Sequence, residues 1–274
     1  SNARKTQKGP LFEEPREFRQ LNIKTVPDGY KVIIVNDLHI PFQHKGVLET
    51  VERFWDDLKP DLEIYAGDIF DCYSVSTFDQ NPSRSFHFQD EIDTARAWLY
   101  KRAEANPGAR RVFIEGNHED RVRRWLWKKG PELSSLRSLP LENLLGLEDM
   151  KIENLAYGSK VNLCGFLIEH GYRASRSRAF PPHTARLMAV DTGSSGLCGH
   201  DHRSGLYRWT DSRGDHSYIS NGCLCRMDME YSPFPNWQHS FTHGVVEQGV
   251  FHTTLVPVLK DGFRTEGQFY RRSK

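Results

Sequence analysis

Short β-branched runs alternate with segments of helical period through the first half of the chain. Val32 to Val35, within KVIIVNDLH, is a run of the length and composition of a buried strand. In KGVLETVERFWDDLKP the apolar positions Val47, Leu48, Val51, Phe54, Trp55 and Leu58 repeat at helical spacing, and Pro60 closes the segment. LEIYAGD predicts a second strand. Residues Gln89 to Ala105 predict an amphipathic helix that stops at Asn-Pro-Gly, and RRVFIEGNHED predicts a strand, a turn and a helix from Glu119. This β-α-β-α-β order implies a parallel sheet with crossover helices.

The second half changes character. KVNLCGFLIEHG and the stretches at Ser195–Cys198, Gly205–Thr210, His216–Ser220 and Val245–Val258 read as strands joined by turns, and only HTARLMAV reads as helix. Residues 1–27 are polar and charge-rich, with Pro10 and Pro15. They are expected to be a tag remnant (Ser-Asn-Ala) followed by a loose arm, leaving residues 28–274 as one domain.

Polar residues collect where the predicted strands end. Asp37 and His39 follow the first, Asp68 and Asp71 the second, Asn117 and His118 the third; His170, then His200 and His202, follow later ones. In open α/β sheets ligands bind beyond the carboxyl ends of the strands, so these groups are expected on one rim. In LCGHDHRSG, an extended backbone would point His200 and His202 to one face and Asp201 to the other.

Bulk properties narrow the class. Charged residues are 27% of the 274 and mean hydropathy is −0.63, as expected of a polar globular protein. The formal charge of +1 sets up no global field for nucleic acid or membrane, so any such binding needs a local patch. Five cysteines without a Cys-x-x-Cys pair fit a reducing compartment, hence a cytoplasmic expectation, and no apolar run is long enough to span a bilayer.

Five blocks carry a resemblance. DLH (37–39), GDIFD (67–71), GNHE (116–119), HG (170–171) and GHDH (199–202), in that order, resemble the calcineurin-like metallophosphoesterase family, whose pattern is D-x-H, G-D-x-x-D, G-N-H-[ED], H and G-H-x-H. Any one block is a common string; five in order, each after a predicted strand, are specific. The resemblance implies an α/β fold: a sandwich of two mixed β-sheets flanked by helices, with a metal site at the strand C-terminal ends. It implies two divalent cations, manganese first, with iron, zinc or nickel as alternatives, and such mixed nitrogen and oxygen donors suit these metals better than calcium. One cation would take Asp37, His39, Asp68 and His202, the other Asp68, Asn117, His170 and His200, with Asp68 bridging. His118 would be the general acid at the leaving-group oxygen, steadied by Asp71, whose charge would favour the imidazolium.

The implied activity is hydrolysis of a phosphoester by metal-activated water. Protein Ser/Thr phosphatases continue G-D-x-x-D with Arg-Gly; Cys72 and Tyr73 stand here instead. GDIFD is closer to the DNA-repair exonuclease and bacterial phosphodiesterase branches, although the nuclease branch often has histidine where Asp71 stands. A phosphodiester, including a nucleic acid or nucleotide, is therefore the expected substrate. A phosphomonoesterase and a non-catalytic, metal-containing scaffold are the alternatives.

Two basic stretches are candidates for substrate contact. Arg173, Arg176 and Arg178 follow His170 and could hold phosphates at the rim. In EDRVRRWLWKKG, helical spacing makes the charges a solvated face and Trp125 and Trp127 the buried one. Asn36 is placed to orient Asp37. Trp237, His239 and His243 are expected to pack, as are Cys223 and Cys225 on a strand, and His44 and His87 receive no role.

Overall fold

Alternation along the first central strand decides how the chain layers: Val32 and Ile34 face one apolar core, Ile33 and Val35 another. In the computed structural model, which describes residues 19–77, 81, 87–174, 181–228 and 235–273, fourteen strands and five α-helices surround these cores. The strands are β1 (Gln20–Ile23), β2 (Tyr30–Val35), β3 (Leu62–Tyr65), β4 (Arg110–Ile114), β5 (Ile152–Leu155), β6 (Lys160–Leu163) and β7 (Phe166–Glu169). They continue with β8 (Gly196–Cys198), β9 (Ser204–Asp211), β10 (Gly214–Asn221), β11 (Ser240–Glu247), β12 (Val250–Pro257), β13 (Gly262–Thr265) and β14 (Gln268–Arg271). The helices are α1 (Lys45–Leu58), α2 (Phe88–Ala105), α3 (Asp120–Lys129), α4 (Leu141–Leu145) and α5 (Pro181–Thr192).

One six-stranded sheet has the order β12-β11-β2-β3-β4-β5, parallel from β2 to β5 with β11 and β12 antiparallel at one edge. The other has the order β1-β6-β7-β8-β10-β9 and is also mixed. Val32, Ile34, Ile64 and Val112 meet Val161, Ile168, Leu197 and Ile219 between the sheets. On the outer face of the β2–β5 sheet, Val47, Val51, Phe54 and Trp55 of α1 and Ile92, Ala95 and Leu99 of α2 complete a second core. Ala185, Met188 and Ala189 of α5 cover the outer face of the other sheet against Cys198 and Tyr218. The architecture is the expected two-sheet sandwich flanked by helices.

Three sequence expectations are corrected. The polar arm is not loose to residue 27: Gln20–Ile23 pairs parallel with β6, and Ile23 is buried. The apolar signal of this edge strand is only Leu21 and Ile23 between polar neighbours. KVNLCGFLIE is a hairpin, turned at Cys164 and Gly165, both of positive φ. Most consequential, Trp125 and Trp127 are 39% and 52% exposed, while Val122 is buried and Leu126 partly so. Helix α3 is too short and too peripheral to bury two indoles, and its buried stripe needs only these two aliphatic side chains.

Candidate metal centre

Each site residue stands in the loop that follows a strand. Asp37 and His39 follow β2, Asp68 and Asp71 follow β3, and Asn117 and His118 follow β4, three parallel neighbours of one sheet. His170 follows β7, and His200 and His202 follow β8, parallel neighbours in the other. The expected rim therefore spans the mouth between two sheets. All seven predicted ligand positions and both predicted catalytic residues converge there. Asp37, His39, Asp68, His170 and His202 are buried.

The loops reach inward through unusual backbone. Asp37, His39, Asp68, His200 and His202 all have positive φ, between 50° and 73°, a region that costs a non-glycine residue on the order of 1 kcal/mol. His200 and His202 thus do not lie on an extended strand end. Their loop turns each ring separately, and Asp201 points away to accept from Ser220 Oγ at 2.8 Å and the Arg203 amide at 3.1 Å. Gly67 also has positive φ, and the space a Cβ would need is filled by the His170 ring, 2.6 Å away at Cγ. That ring, together with the positive φ, is what requires glycine.

Two sets of lone-pair atoms face one another. In the first, His39 Nε2 and His202 Nε2 are 3.0 Å apart, with Asp37 Oδ1 at 3.7 Å and 3.1 Å from them. Asp37 Oδ1 is buried without a hydrogen bond, because Oδ2 takes the bonds from Asn36 Nδ2 (2.5 Å) and the His200 amide (2.9 Å). In the second, His170 Nε2 is 3.0 Å from Asn117 Oδ1 and 3.2 Å from Asp68 Oδ2. His170 Nδ1 faces the Ala66 carbonyl at 3.1 Å and must donate to it, so the lone pair of the neutral ring points at two oxygens. Such convergence is stable only with positive charge at its centre.

Asp68 joins the sets: its Oδ2 is 3.2 Å from His170 Nε2 and 3.9 Å from His39 Nε2, while Oδ1 accepts from the His118 amide at 2.9 Å. His200 lies within ligand distance of Asp68 and His170, and its Nδ1 is buried and unpaired. This donor set of carboxylate, amide oxygen and imidazole fits two adjacent divalent cations.

Protonation reports the same demand. Burial alone would neutralise Asp37 and Asp68, yet neighbouring imidazoles hold both carboxyls well below the carboxylate range: His202 and His39 for Asp37, His170 and His118 for Asp68. Burial likewise opposes charge on His170 and His202, but Asp68 lifts the first to about 9, and Cys225 and Asp37 lift the second to about 9. Burial and His170 press His200 down to about 4. Without cations, protons balance the buried carboxylates.

The surrounding groups fix these rings. Asp71 Oδ2 lies 2.8 Å from His39 Nδ1 and 3.3 Å from His118 Nδ1, so it holds a predicted ligand as well as the predicted acid. Burial and the charge of His39 outweigh Asp68 and Asp71 and lower the His118 pKa, against the expected imidazolium. His118 Nε2 accepts from Arg121 Nη2 at 2.9 Å, and Arg121 Nη1 donates to the Asp71 carbonyl at 3.0 Å. Asn36 has its expected role on Asp37, and Asn221 Nδ2 in turn donates to Asn36 Oδ1 at 2.5 Å.

Three roles were not assigned from the sequence: those of Glu119, which closes the GNHE block, of Arg121, in the basic stretch offered for substrate contact, and of Cys225. The Glu119 carboxylate accepts the amides of Asp68 (3.0 Å), Phe70 (2.9 Å) and Gly116 (2.7 Å), tying the second loop to the third. Cys225 Sγ is 3.8 Å from His202 Nδ1. Of the rim arginines, Arg173 pairs with Asp191 of α5 at 3.7 Å; Arg176 and Arg178 lie outside the described residues. Trp237 packs on His202, His239 Nε2 contacts the Cys225 carbonyl, and His243 Nε2 contacts Thr265 Oγ1. Cys223 and Cys225 are buried as expected, at isolated bridges rather than in a strand. His44 and His87 cap α1 and α2.

Residues 30–204 match the profile of the calcineurin-like phosphoesterases, and the chain belongs to that family. It is 27% identical over 252 residues to the Gene 54 protein of Mycobacterium phage D29, a match covering 88% of this chain and 98% of that protein. Among solved structures, a Vps29 single mutant from Entamoeba histolytica is similar at TM-score 0.44 and 9% identity, covering 85% of this chain and 96% of that one. A dimetal phosphatase from Danio rerio is similar at TM-score 0.43 and 13% identity, covering 90% and 100%. No helix among the described residues is long and apolar enough to cross a membrane.

Proposed function

We propose that the protein hydrolyses a phosphodiester at a pair of divalent cations, manganese first among them. Asp37, His39, Asp68 and His202 would hold one cation and Asp68, Asn117, His170 and His200 the other. The observation that carries this reading is the place of Asp68 Oδ2, shared by two sets of otherwise mutually repelling donors. When bound, the cations acidify a water molecule and offset negative charge developing on phosphorus.

The protein's own groups orient and discharge the ester. Arg121 N–H groups face the mouth beside His118 and can pass to a phosphate oxygen, and that transfer uncovers His118 Nε2. Nε2 can then take up a proton from solvent, and the imidazolium so formed, held through Nδ1 by the Asp71 carbonyl and carboxylate, would pass that proton to the leaving oxygen. At the position after Asp71, where an arginine would grip a monoester dianion, Cys72 is fully buried, and burial pushes its thiol far up, so it stays neutral. This favours a diester, which carries one negative charge fewer.

Hydrolysis of bis-p-nitrophenyl phosphate and p-nitrophenyl phosphate with added manganese tests the reading. The diester should be the better substrate, and His118→Ala should lower its kcat by roughly 10²–10⁴-fold, the usual contribution of a positioned acid. Absence of metal-dependent turnover of both esters refutes hydrolysis and leaves a non-catalytic scaffold. Preference for the monoester refutes the diester assignment alone.

A further inference from the structure

On α3 the positions i, i+3, i+4 and i+7, normally an apolar stripe, are Arg121, Arg124, Trp125 and Lys128. The buried side of this helix is supplied by Val122 and Leu126 instead, so the cationic stripe is not a by-product of packing. It forms one wall of a groove of about 660 Å³; the loop Val75–Thr77 and Tyr157 line the remainder. Asn117, a proposed cation ligand, lines the same groove, and Arg121 bonds its chain neighbour His118. Lys128 and Lys129 are exposed at the outer end, with no ion pair among the described residues, while Arg124 pairs with Asp120 from the groove wall.

We propose that this groove binds the strand flanking the scissile phosphate of a single-stranded polynucleotide, with Trp125 and Tyr157 stacking bases and Arg124, Lys128 and Lys129 meeting backbone phosphates. The inference deepens the diester reading above and rests on it for the location of the scissile bond. From Arg121 to Lys128 the helix advances about 10 Å, a length of roughly three stacked nucleotides. A mononucleotide or a small ester held at the cations would leave the outer half of the groove without a ligand. The chain's formal charge of +1 makes this concentration of cations local, so it is complementary to a polyanion at this face. An acidic peptide would satisfy the lysines but gives no use for indole and phenol faces beside them. Base faces do, and only unpaired bases expose them.

The test is fluorescence anisotropy of a labelled oligothymidylate of about 12 nucleotides and of the matching duplex, in EDTA to prevent turnover. Trp125→Ala should weaken single-strand binding about tenfold, the scale of one lost stacking contact. The double variant Lys128→Glu/Lys129→Glu should weaken it further and reduce the salt-dependence slope by roughly 1.4, about 0.7 for each phosphate contact. Unchanged melting temperatures would confirm that both variants fold. In manganese, kcat/KM of the wild type should rise with oligonucleotide length up to about three nucleotides beyond the scissile bond.

Single-strand affinity insensitive to these substitutions overturns the proposal, as does failure of the wild type to bind oligothymidylate. Duplex bound as tightly as single strand, with Trp125→Ala neutral, overturns the stacking assignment and the single-strand commitment with it. A wild type that cleaves neither nitrophenyl ester, but whose oligothymidylate affinity depends on these residues, upholds the groove and overturns only the hydrolytic reading.

Discussion

Substituting Gly116 by alanine tests whether the third loop is pressed against Asp68 as tightly as the structure has it. The added methyl would lie 2.5 Å from the Asp68 amide nitrogen and closer still to its Oδ1, against an ordinary contact of about 3.5 Å. Either the methyl or Asp68 must therefore move by about 1 Å. Asp68 is not free to yield: its amide donates to Glu119 at 3.0 Å, its carbonyl accepts from the His39 amide at 2.9 Å, and its Oδ1 accepts from the His118 amide at 2.9 Å. Overpacking alone costs about 1–3 kcal/mol, and a lost hydrogen bond to a charged group adds about 1.5–3 kcal/mol, so Gly116→Ala should destabilise by about 2.5–6 kcal/mol. At roughly 2–4 °C per kcal/mol for a domain of this size, the melting temperature should fall by about 5–24 °C.

The effect on metal should be larger in proportion. Ligand distances tolerate only about 0.2 Å, so manganese affinity should drop at least 10–100-fold. Thermal melts with and without manganese, together with titration calorimetry, measure both quantities. Gly108→Ala is the control, since nothing lies within 4 Å of its Cβ position. If Gly116→Ala melts and binds manganese like the wild type, the clamp on Asp68 and the bridging role built on it are wrong.

Three further outcomes follow from the same geometry. His170 and His202, raised to about 9, give the metal-free fold stability that is complete below the unfolded value of about 6.5 and lost as pH rises through 9. Melting temperature in EDTA should thus fall from pH 6.5 to 9, while manganese affinity rises and calorimetry in buffers of different ionisation enthalpy registers proton release; affinity independent of pH would refute this. Glu119→Gln leaves three amide donors facing one acceptor oxygen, and should cost about 1–3 kcal/mol in chemical denaturation and lower manganese affinity 10–100-fold; a neutral substitution would deny the tie between loops. Burial lowers His239 to about 4, so its contribution is present above the unfolded value and lost as pH falls from 6.5 to 4, up to about 3 kcal/mol, and His239→Asn should flatten the stability profile in that window.

The parallel half of the fold was legible because its strands are buried on both sides and its helices keep a 3.6-residue apolar repeat: Val32–Val35 and Val47–Leu58 announce themselves. Edge strand β1 was not, since half its side chains face solvent and Gln20 and Asn22 mask Leu21 and Ile23. The site was legible through side-chain chemistry, because nitrogen and oxygen donors after strands are conspicuous whatever backbone delivers them. What escaped was set by three-dimensional placement. Glu119 is part of the GNHE block, but its hold on the backbone amides of another loop leaves no signal there, and Cys225 reaches His202 from a separate segment. Helical spacing located the cationic stripe of α3, but burial, which periodicity alone does not assign, decided which face the tryptophans occupy.

The left-handed turns at Asp37, His39, Asp68, His200 and His202 carry one more consequence. At ordinary loop positions glycine would relieve such torsion, but here the side chain that makes the backbone unfavourable is the one the centre needs. Mutational routes that make the cation-free protein sturdier should therefore lead through these five positions and strip it of its chemistry, so hardening this scaffold without disarming it has to draw on the inter-sheet and helix-facing cores.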